Sequence, residues 1–86
     1  MLRLADIDVN LLVVFDLLYR EGNTQRVAER LGVTQPAVSH ALKRLRRLLG
    51  DELFERTSRG LSPTPRADQL HPGIAEALAR LHETLN

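Results

Sequence analysis

The segment from Gln35 to Leu49 contains the side chains whose types and spacing point most directly to chemistry. On a helix with about 100° per residue, its apolar side chains share one face and its polar side chains the opposite face. The face opposite the apolar one consists of Pro36, Ser39, His40, Lys43 and Arg47, flanked by Arg44 and Arg46. No Asp or Glu occurs in the segment, although pairs of opposite charge would stabilise an exposed helix. Such a face of donors and cations suits phosphate oxygens and the acceptor-rich major-groove edge of guanine.

Charge is distributed unevenly along the chain. Residues 23–66 contain nine Lys or Arg and four Asp or Glu, whereas the two flanks together contain three Arg and seven acidic residues. The formal net charge is only +1, so the segregation is more informative than the total. A basic middle between acidic ends indicates contact with a polyanion, although a chance segregation of solvated charges would look the same.

Helix caps and hydrophobic spacing predict three helices up to Gly50. Each helix is expected to begin after a polar side chain that can accept a backbone N–H bond and to end at a glycine. In the third helix, Pro36 falls in the first turn, where a missing N–H costs nothing. The predicted caps and terminating glycines are, in chain order, Asp8 or Asn10, Gly22, Asn23 or Thr24, Gly32, Thr34 and Gly50.

The second and third helices have the spacing of a helix-turn-helix. Ala28, Gly32 and Val38 are four and six residues apart. They supply a small residue at the helix contact, a glycine in the turn and a β-branched residue that packs the second helix on the first. The alternative is an ordinary αα-hairpin within a core, which does not explain why the outer face of the third helix lacks acidic residues.

The remainder of the chain predicts a β-ribbon and a long last helix. Residues 53–63 contain two short extended candidates around the turn signal Ser58-Arg59-Gly60. In the last helix, Pro72 is expected to delay the first full turn. Its apolar stripe is Leu70, Ile74, Leu78, Leu81 and Leu85. The predicted fold is therefore mostly α, a winged helix-turn-helix over residues 1–65 followed by a linker helix over residues 66–86.

Composition excludes several classes of protein. The 86 residues fit one domain, and the lack of Cys excludes disulfides and fits a reducing cytoplasm. No apolar run has the length of a membrane span, and Asp6 interrupts any signal peptide. His71 and His82 are eleven residues apart, so we expect surface residues and no metal site. Ser39 and its neighbour His40 point apart on a helix, so they are not expected to form a catalytic pair. No cofactor is expected in this chain.

Two blocks of the sequence resemble the N-terminal DNA-binding domain of LysR-type bacterial transcriptional regulators. They read T-Q-R-V-A-E-R-L-G-V-T-Q-P-A-V-S-H-A-L-K-R-L from Thr24 and L-F-E-R-T-S-R-G-L-S-P-T-P-R-A from Leu53. The segments D-V-N-L-L-V-V-F-D-L-L and T-P-R-A further resemble the subset that includes nodulation-type regulators. The likeness extends from about Val9 to Leu85, and H-P-G-I in the last helix departs from the pattern.

The resemblance implies that particular residues of the helix-turn-helix and the wing bind double-stranded promoter DNA. Gln35 and His40 would face base edges in the major groove, and Pro36 and Ala37 would contact thymine methyl groups. The other implied contacts are phosphate contacts by Thr24, Thr34, Ser39, Lys43 and Arg47, and backbone or minor-groove contacts by Arg56 and Arg59.

The resemblance also implies a homodimer and a further domain. The stripe from Leu70 to Leu85 would pair antiparallel with its twin, although it could instead cover the domain's own core. An effector-binding domain is expected beyond Asn86. A winged helix used only for protein–protein contact is the competing function, and an enzyme is the third class.

Overall fold

Side-chain caps and glycines divide the chain into the elements that the sequence predicts. The structure, a computed structural model, describes all 86 residues. After a single 3-10 turn at Leu4–Asp6, the elements are α1 Val9–Glu21, α2 Thr24–Leu31, α3 Gln35–Leu49, β1 Phe54–Thr57, β2 Gly60–Pro63 and α4 Pro65–Leu85. The strands pair antiparallel. The predicted winged helix-turn-helix with a long last helix is confirmed.

The structure shows which of the alternative residues caps each of the first two helices. Asp8 accepts the N–H of Asn10 at 2.9 Å, and Asn23 accepts those of Gln25 and Arg26. Asp8 and Asn23 are therefore the caps of α1 and α2, while Thr34 caps α3 as predicted. The three helices end at glycines in the left-handed conformation, as their sequence spacing indicated.

One apolar core joins all four helices to the wing. Phe15 of α1 is fully buried at its centre, and its ring lies 5.7 Å from that of Phe54. Val27 and Ala28 of α2 are buried against Val38 of α3, as the helix-turn-helix spacing predicted. The buried apolar residues are Leu11, Val14, Phe15, Leu18, Val27, Ala28, Val38, Leu42, Leu45, Leu53, Phe54 and Ala67.

The root of the wing is held by a short polar network around Leu53. This residue is fully buried and has a φ of 67°, a strained value for a side chain with a Cβ. Its N–H donates to the Asp51 carboxylate at 2.8 Å, and its carbonyl accepts the Thr64 N–H at 2.9 Å. Thr64 Oγ1 also donates to Asp51 at 2.7 Å. These bonds and the burial of Leu53 offset the strain and fix where the wing leaves α3.

The last helix forms its first turns before Pro72, where the sequence predicted a delay. It begins at Pro65, with Thr64 as its cap, and continues through Pro72. The predicted delay at Pro72 is wrong because the helix is already nucleated about two turns earlier by the Thr64 cap and by Ala67, which is fully buried. Pro72 removes one N–H, so the Asp68 carbonyl four residues earlier lacks its helical donor.

The first turns of α4 belong to the packing of the body. Leu70 and Ile74 lie against the core, together with the buried Ala67. The structure shows α4 as one continuous helix whose first turns pack on the core and whose distal turns do not. The division of the chain into residues 1–65 and 66–86 stays a prediction. None of the four helices combines the length and the apolar character needed to span a bilayer.

Candidate nucleic-acid interface

The outer face of α3 carries a contiguous set of polar side chains without internal partners. Val38, Leu42 and Leu45 bury the inner face. The outer face consists of Ser39, His40, Lys43, Arg44 and Arg47, all exposed. None of these five takes part in an ion pair or a side-chain hydrogen bond within the chain. Their donors and charges are therefore free for a ligand outside the chain.

A shallow depression on this face is lined only by one histidine and three cationic residues. His40, Lys43, Arg46 and Arg47 form its walls, and no acidic residue contributes to it. The positive potential of such a concave surface attracts anions, and its open shape suits an extended ligand. The structure thus brings together the predicted residues His40, Lys43 and Arg47.

Arg46 lies beside this face but has a structural role that the sequence did not reveal. Its Nε donates to the Glu52 carbonyl at 2.8 Å, and Nη2 donates to the Phe54 carbonyl at 3.0 Å. These bonds connect α3 to the start of β1 on both sides of Leu53. The guanidinium fork is used within the chain, whereas that of Arg47 is free. Helical spacing places Arg46 at the edge of the face, but it cannot reveal carbonyl partners in a later loop.

The start of α3 joins the second helix through side chains predicted to contact DNA. Gln35 Nε2 donates to Thr24 Oγ1 at 2.9 Å, which holds the Gln35 amide beside the start of α2. Thr34 Oγ1 accepts the Ala37 N–H at 3.2 Å, so its hydroxyl proton remains available. Pro36 and Ala37 are exposed on the first turn. Two helix N-termini, with the positive ends of their dipoles, therefore meet on the same side of the molecule.

The wing is attached rigidly to the helix-turn-helix. The Leu61 N–H donates to the Gly22 carbonyl at 2.9 Å. Gly60, with a φ of 117°, lies so close to Gly22 that any Cβ would collide with the same carbonyl oxygen. Arg56 is exposed and lines a cleft together with Gln35. Arg59 is exposed at the turn. The structure therefore places Arg56 on the side of α3 that carries the predicted base-contacting residues.

The predicted dimer stripe on α4 divides into two parts. Leu70 and Ile74 pack against the chain's own core, so the alternative considered for the stripe holds for these two residues. Leu78 is half-buried, and Leu81 and Leu85 are 47% and 79% exposed. The three distal residues line an apolar depression with Val9 and Val13 of α1. Only this distal part presents apolar surface.

His71 contradicts the prediction that it lies on the surface. Its side chain is only 14% exposed, Nε2 lies 2.7 Å from Asp16 Oδ1, and the ring stacks on Tyr19 at a centroid distance of 3.8 Å. His82 is exposed, as predicted. Helical spacing could have predicted this burial. Ala67, His71 and Ile74 follow one another at intervals of four and three residues, so His71 lies on the apolar stripe.

Comparisons with known proteins agree with this geometry. The family described as "Bacterial regulatory helix-turn-helix protein, lysR family" matches residues 9–68. The transcriptional activator NagR of a Ralstonia species is 51% identical over 82 residues, which are 95% of this chain and 27% of NagR. The chain thus spans about a quarter of the length of the curated relatives that it matches.

Solved structures show the same fold. The probable transcriptional regulator PA0477 from Pseudomonas aeruginosa superposes with a TM-score of 0.91 at 48% identity, over 95% of this chain and 28% of that chain. The DNA-binding domain in a CbnR–DNA complex superposes with a TM-score of 0.81 at 26% identity, over 91% of this chain and 90% of that chain. Members of this family are transcriptional regulators, which are not enzymes. The chain belongs to the LysR family and forms its winged helix-turn-helix DNA-binding domain.

Proposed function

We propose that the domain binds promoter DNA in a sequence-dependent way, with α3 in the major groove and the wing on the backbone or the minor groove. The observation that carries this proposal is the outer face of α3, whose five polar side chains have no partner within the chain. When these exposed cations neutralise DNA phosphates, they release the counterions condensed on the DNA, and this release favours binding.

Within this interface, the residues divide by reach and chemistry. Gln35 and His40 read base edges, while Pro36 and Ala37 contact thymine methyl groups. The hydrogen bond from Gln35 to Thr24 supports this assignment, because it holds the amide in place before DNA arrives. The proposed phosphate contacts are made by Thr24, Thr34, Ser39, Lys43 and Arg47, which sit at the two helix N-termini or further along the outer face.

The wing supplies a second contact on the same side of the molecule. Arg56 and Arg59 are exposed and neither forms an ion pair. The Leu61 N–H bond to the Gly22 carbonyl ties the ribbon to the turn between α1 and α2, and the Arg46 bonds tie the start of β1 to α3. We assign both arginines to the DNA backbone or a narrow minor groove, where the negative potential is strongest.

The proposed active form is a homodimer through the distal part of α4. Leu78, Leu81 and Leu85 expose apolar surface next to Val9 and Val13, and a second copy would cover it. Two recognition helices would then reach major grooves about one helical turn or a small multiple apart and read a pseudo-palindrome. The DNA complex of the related CbnR domain supports the DNA partner, while the effector-binding domain and the cytoplasmic location stay predictions.

Fluorescence anisotropy with labelled duplexes tests the proposal. Sites are first selected from random DNA, and the dissociation constant is then measured for the selected site and for a scrambled duplex over a range of salt. We expect tighter binding to the selected site and a log–log salt slope that falls by about 0.9 for Arg47→Ala. Arg80→Ala, at an exposed arginine on α4, is the matched control. No binding at micromolar protein in low salt would favour a protein partner instead.

A further inference from the structure

Four side chains form a polar contact between α1 and α4 that the DNA interface does not use. Tyr19 donates its hydroxyl to Asp68 Oδ1 at 2.7 Å, and His71 Nε2 lies 2.7 Å from Asp16 Oδ1. The Tyr19 and His71 rings stack with their planes 7° apart, which joins the two hydrogen bonds into one unit. We call these four residues the α1–α4 clasp.

The residues around the clasp shield it from water and supply further contacts. The side chains of Asp16 and His71 are 18% and 14% exposed, so their mutual bond is largely shielded from water. Arg20 donates to the same Asp16 oxygen at 2.9 Å from the solvent side, and the Phe15 ring lies 6.0 Å from the His71 ring. Each buried polar atom therefore has a partner, and each ring has a neighbour.

The clasp lies where α4 is intrinsically weakest. Pro72 lacks an N–H and leaves the Asp68 carbonyl without its helical donor, and Gly73 adds about 1 kcal/mol of unfavourable helix propensity. No atom outside the helix would touch a Cβ at Gly73, so no packing contact supports that residue. Clasp residues stand immediately before and one turn before this step. A bend here would swing the distal stripe relative to α3.

We propose that the α1–α4 clasp holds the linker helix at a fixed angle to α1 up to the Pro72–Gly73 step and thereby sets the distance between the two recognition helices in the dimer. The inference rests on the proposed dimer through the distal part of α4. The apolar anchors Ala67, Leu70 and Ile74 keep α4 on the body, but apolar contacts are not directional. Two short hydrogen bonds on either side of a ring stack are directional, and they restrict both rotation and tilt.

Pulsed electron spin resonance on a single labelled chain tests the fixed angle. The chain has no native Cys, so nitroxides attach only at Glu29→Cys on α2 and Glu83→Cys near the end of α4. Labelled chains are diluted with excess unlabelled chains, so that only distances within one chain are measured. We expect one narrow distance in the native protein and a distribution at least about twofold broader in the Tyr19→Phe/His71→Phe variant, which keeps both rings.

Two further variants separate the clasp from general damage. Glu76→Phe places an aromatic ring at an exposed site of α4 outside the clasp and is expected to match the native distribution. Tyr19→Phe alone removes a single hydroxyl and is expected to broaden the distribution by less than the double variant. It also keeps the test valid if the double variant does not fold. Equal widths in the native protein and in a folded clasp variant would overturn the proposal.

Binding to spaced half-sites tests the consequence for DNA. Duplexes carry two half-sites whose separation increases by single base pairs, and a one-half-site duplex is the reference. We expect a native preference of about tenfold for one spacing to fall to about twofold in Tyr19→Phe/His71→Phe, with unchanged affinity for the single half-site. An unchanged spacing preference would overturn the role in spacing.

Failure of the dimer itself would have a different signature. A native protein that sediments as a monomer on DNA and shows no spacing preference would overturn the proposed dimer and the role in spacing. The intrachain distance distributions do not depend on dimerisation, so they would still confirm or contradict the fixed angle of α4.

Discussion

The outer face of α3 and the α1–α4 clasp use the same kinds of side chain in opposite ways. His40 on α3 is exposed and has no hydrogen-bond partner, whereas His71 on α4 is stacked, hydrogen-bonded and mostly buried. Arg47 has no partner within the chain, whereas Arg20 donates to Asp16 of the clasp, which is also bonded to His71. Polar groups that determine the fold are satisfied internally, and those free of internal partners are available to an external ligand.

Charge reversal on α3 should give the largest effect. Lys43→Glu/Arg47→Glu removes two phosphate contacts, each worth about 2 kcal/mol, so we expect about a thousandfold loss of affinity for every DNA sequence. The free energy of unfolding should stay within about 0.5 kcal/mol of the native value, since neither side chain has an internal partner. Anisotropy and urea unfolding measure the two quantities.

The control for this charge reversal is Arg80→Glu, an exposed site on α4. It should weaken DNA binding far less than the reversal on α3. The control reverses one charge and the α3 variant reverses two, so a loss half as large on the logarithmic scale would mean that total charge, rather than the outer face of α3, governs binding.

Leu78 lies just beyond the clasp, and its replacement should have the next largest effect. Leu78→Asp places a charge in the proposed dimer seam and removes about 2 kcal/mol of apolar burial from each chain. We expect the dimer dissociation constant to rise at least about a hundredfold. Arg80→Asp, on the opposite face of α4, should remain dimeric in sedimentation velocity. A dimer that survives Leu78→Asp would show that another surface joins the chains.

The exposed histidine should affect specificity more than stability. His40→Ala removes one base-edge contact, so we expect the preference at a single base pair to fall by about tenfold, with little change in the free energy of unfolding. Binding to a library of sites altered at one position each measures this preference. Equal preference in native and variant proteins would remove His40 from the reading of bases.

The paired groups at the wing root should respond to acid. The Thr64 hydroxyl and the Leu53 N–H hold the pKa of Asp51 below its ordinary value. This stabilisation is therefore present above the ordinary Asp range and is lost as the pH falls through the lowered pKa. Thr64→Val, which also removes the α4 cap, should cost about 1 kcal/mol at neutral pH and less in acid. Urea unfolding at both pH values measures the difference, and a pH-independent cost would contradict the contact with Asp51.

The smallest effect is spectroscopic and reports on the clasp alone. The hydrogen bond to Asp68 raises the pKa of Tyr19, with burial and the nearby carboxylate charge as lesser causes. Since Tyr19 is the only tyrosine and the chain has no Trp, alkaline titration of phenolate absorbance reports on this residue directly. Asp68→Asn should lower the pKa of Tyr19 towards its ordinary value, whereas Glu76→Gln should leave it unchanged. Identical titrations would show that the bond is absent in solution.

The sequence predicts most of what depends on near neighbours. Caps lie within four residues of the groups that they satisfy, so Thr34 and Gly50 could be placed from spacing alone. The outer face of α3 follows from helical periodicity in the same way. These features determine the helix-turn-helix and most of the candidate interface.

Partners that are distant in the chain could not be read from the sequence. His71 and Asp16 are 55 residues apart, and nothing in local spacing selects one carboxylate over another. Arg46 was assigned to the edge of the DNA-facing side because its carbonyl partners belong to a loop whose course depends on the fold. The continuation of α4 through Pro72 likewise depends on tertiary packing, which outweighs local propensity.

The central claim is that the outer face of α3 is the surface that meets DNA. Backbone-amide NMR during titration with a duplex that carries the selected site tests it most directly. We predict the largest shifts at Ser39, Lys43 and Arg47, with much smaller shifts at the clasp residues Asp16 and His71. Large shifts confined to other surfaces, with the amides of α3 unmoved at saturation, would contradict the claim.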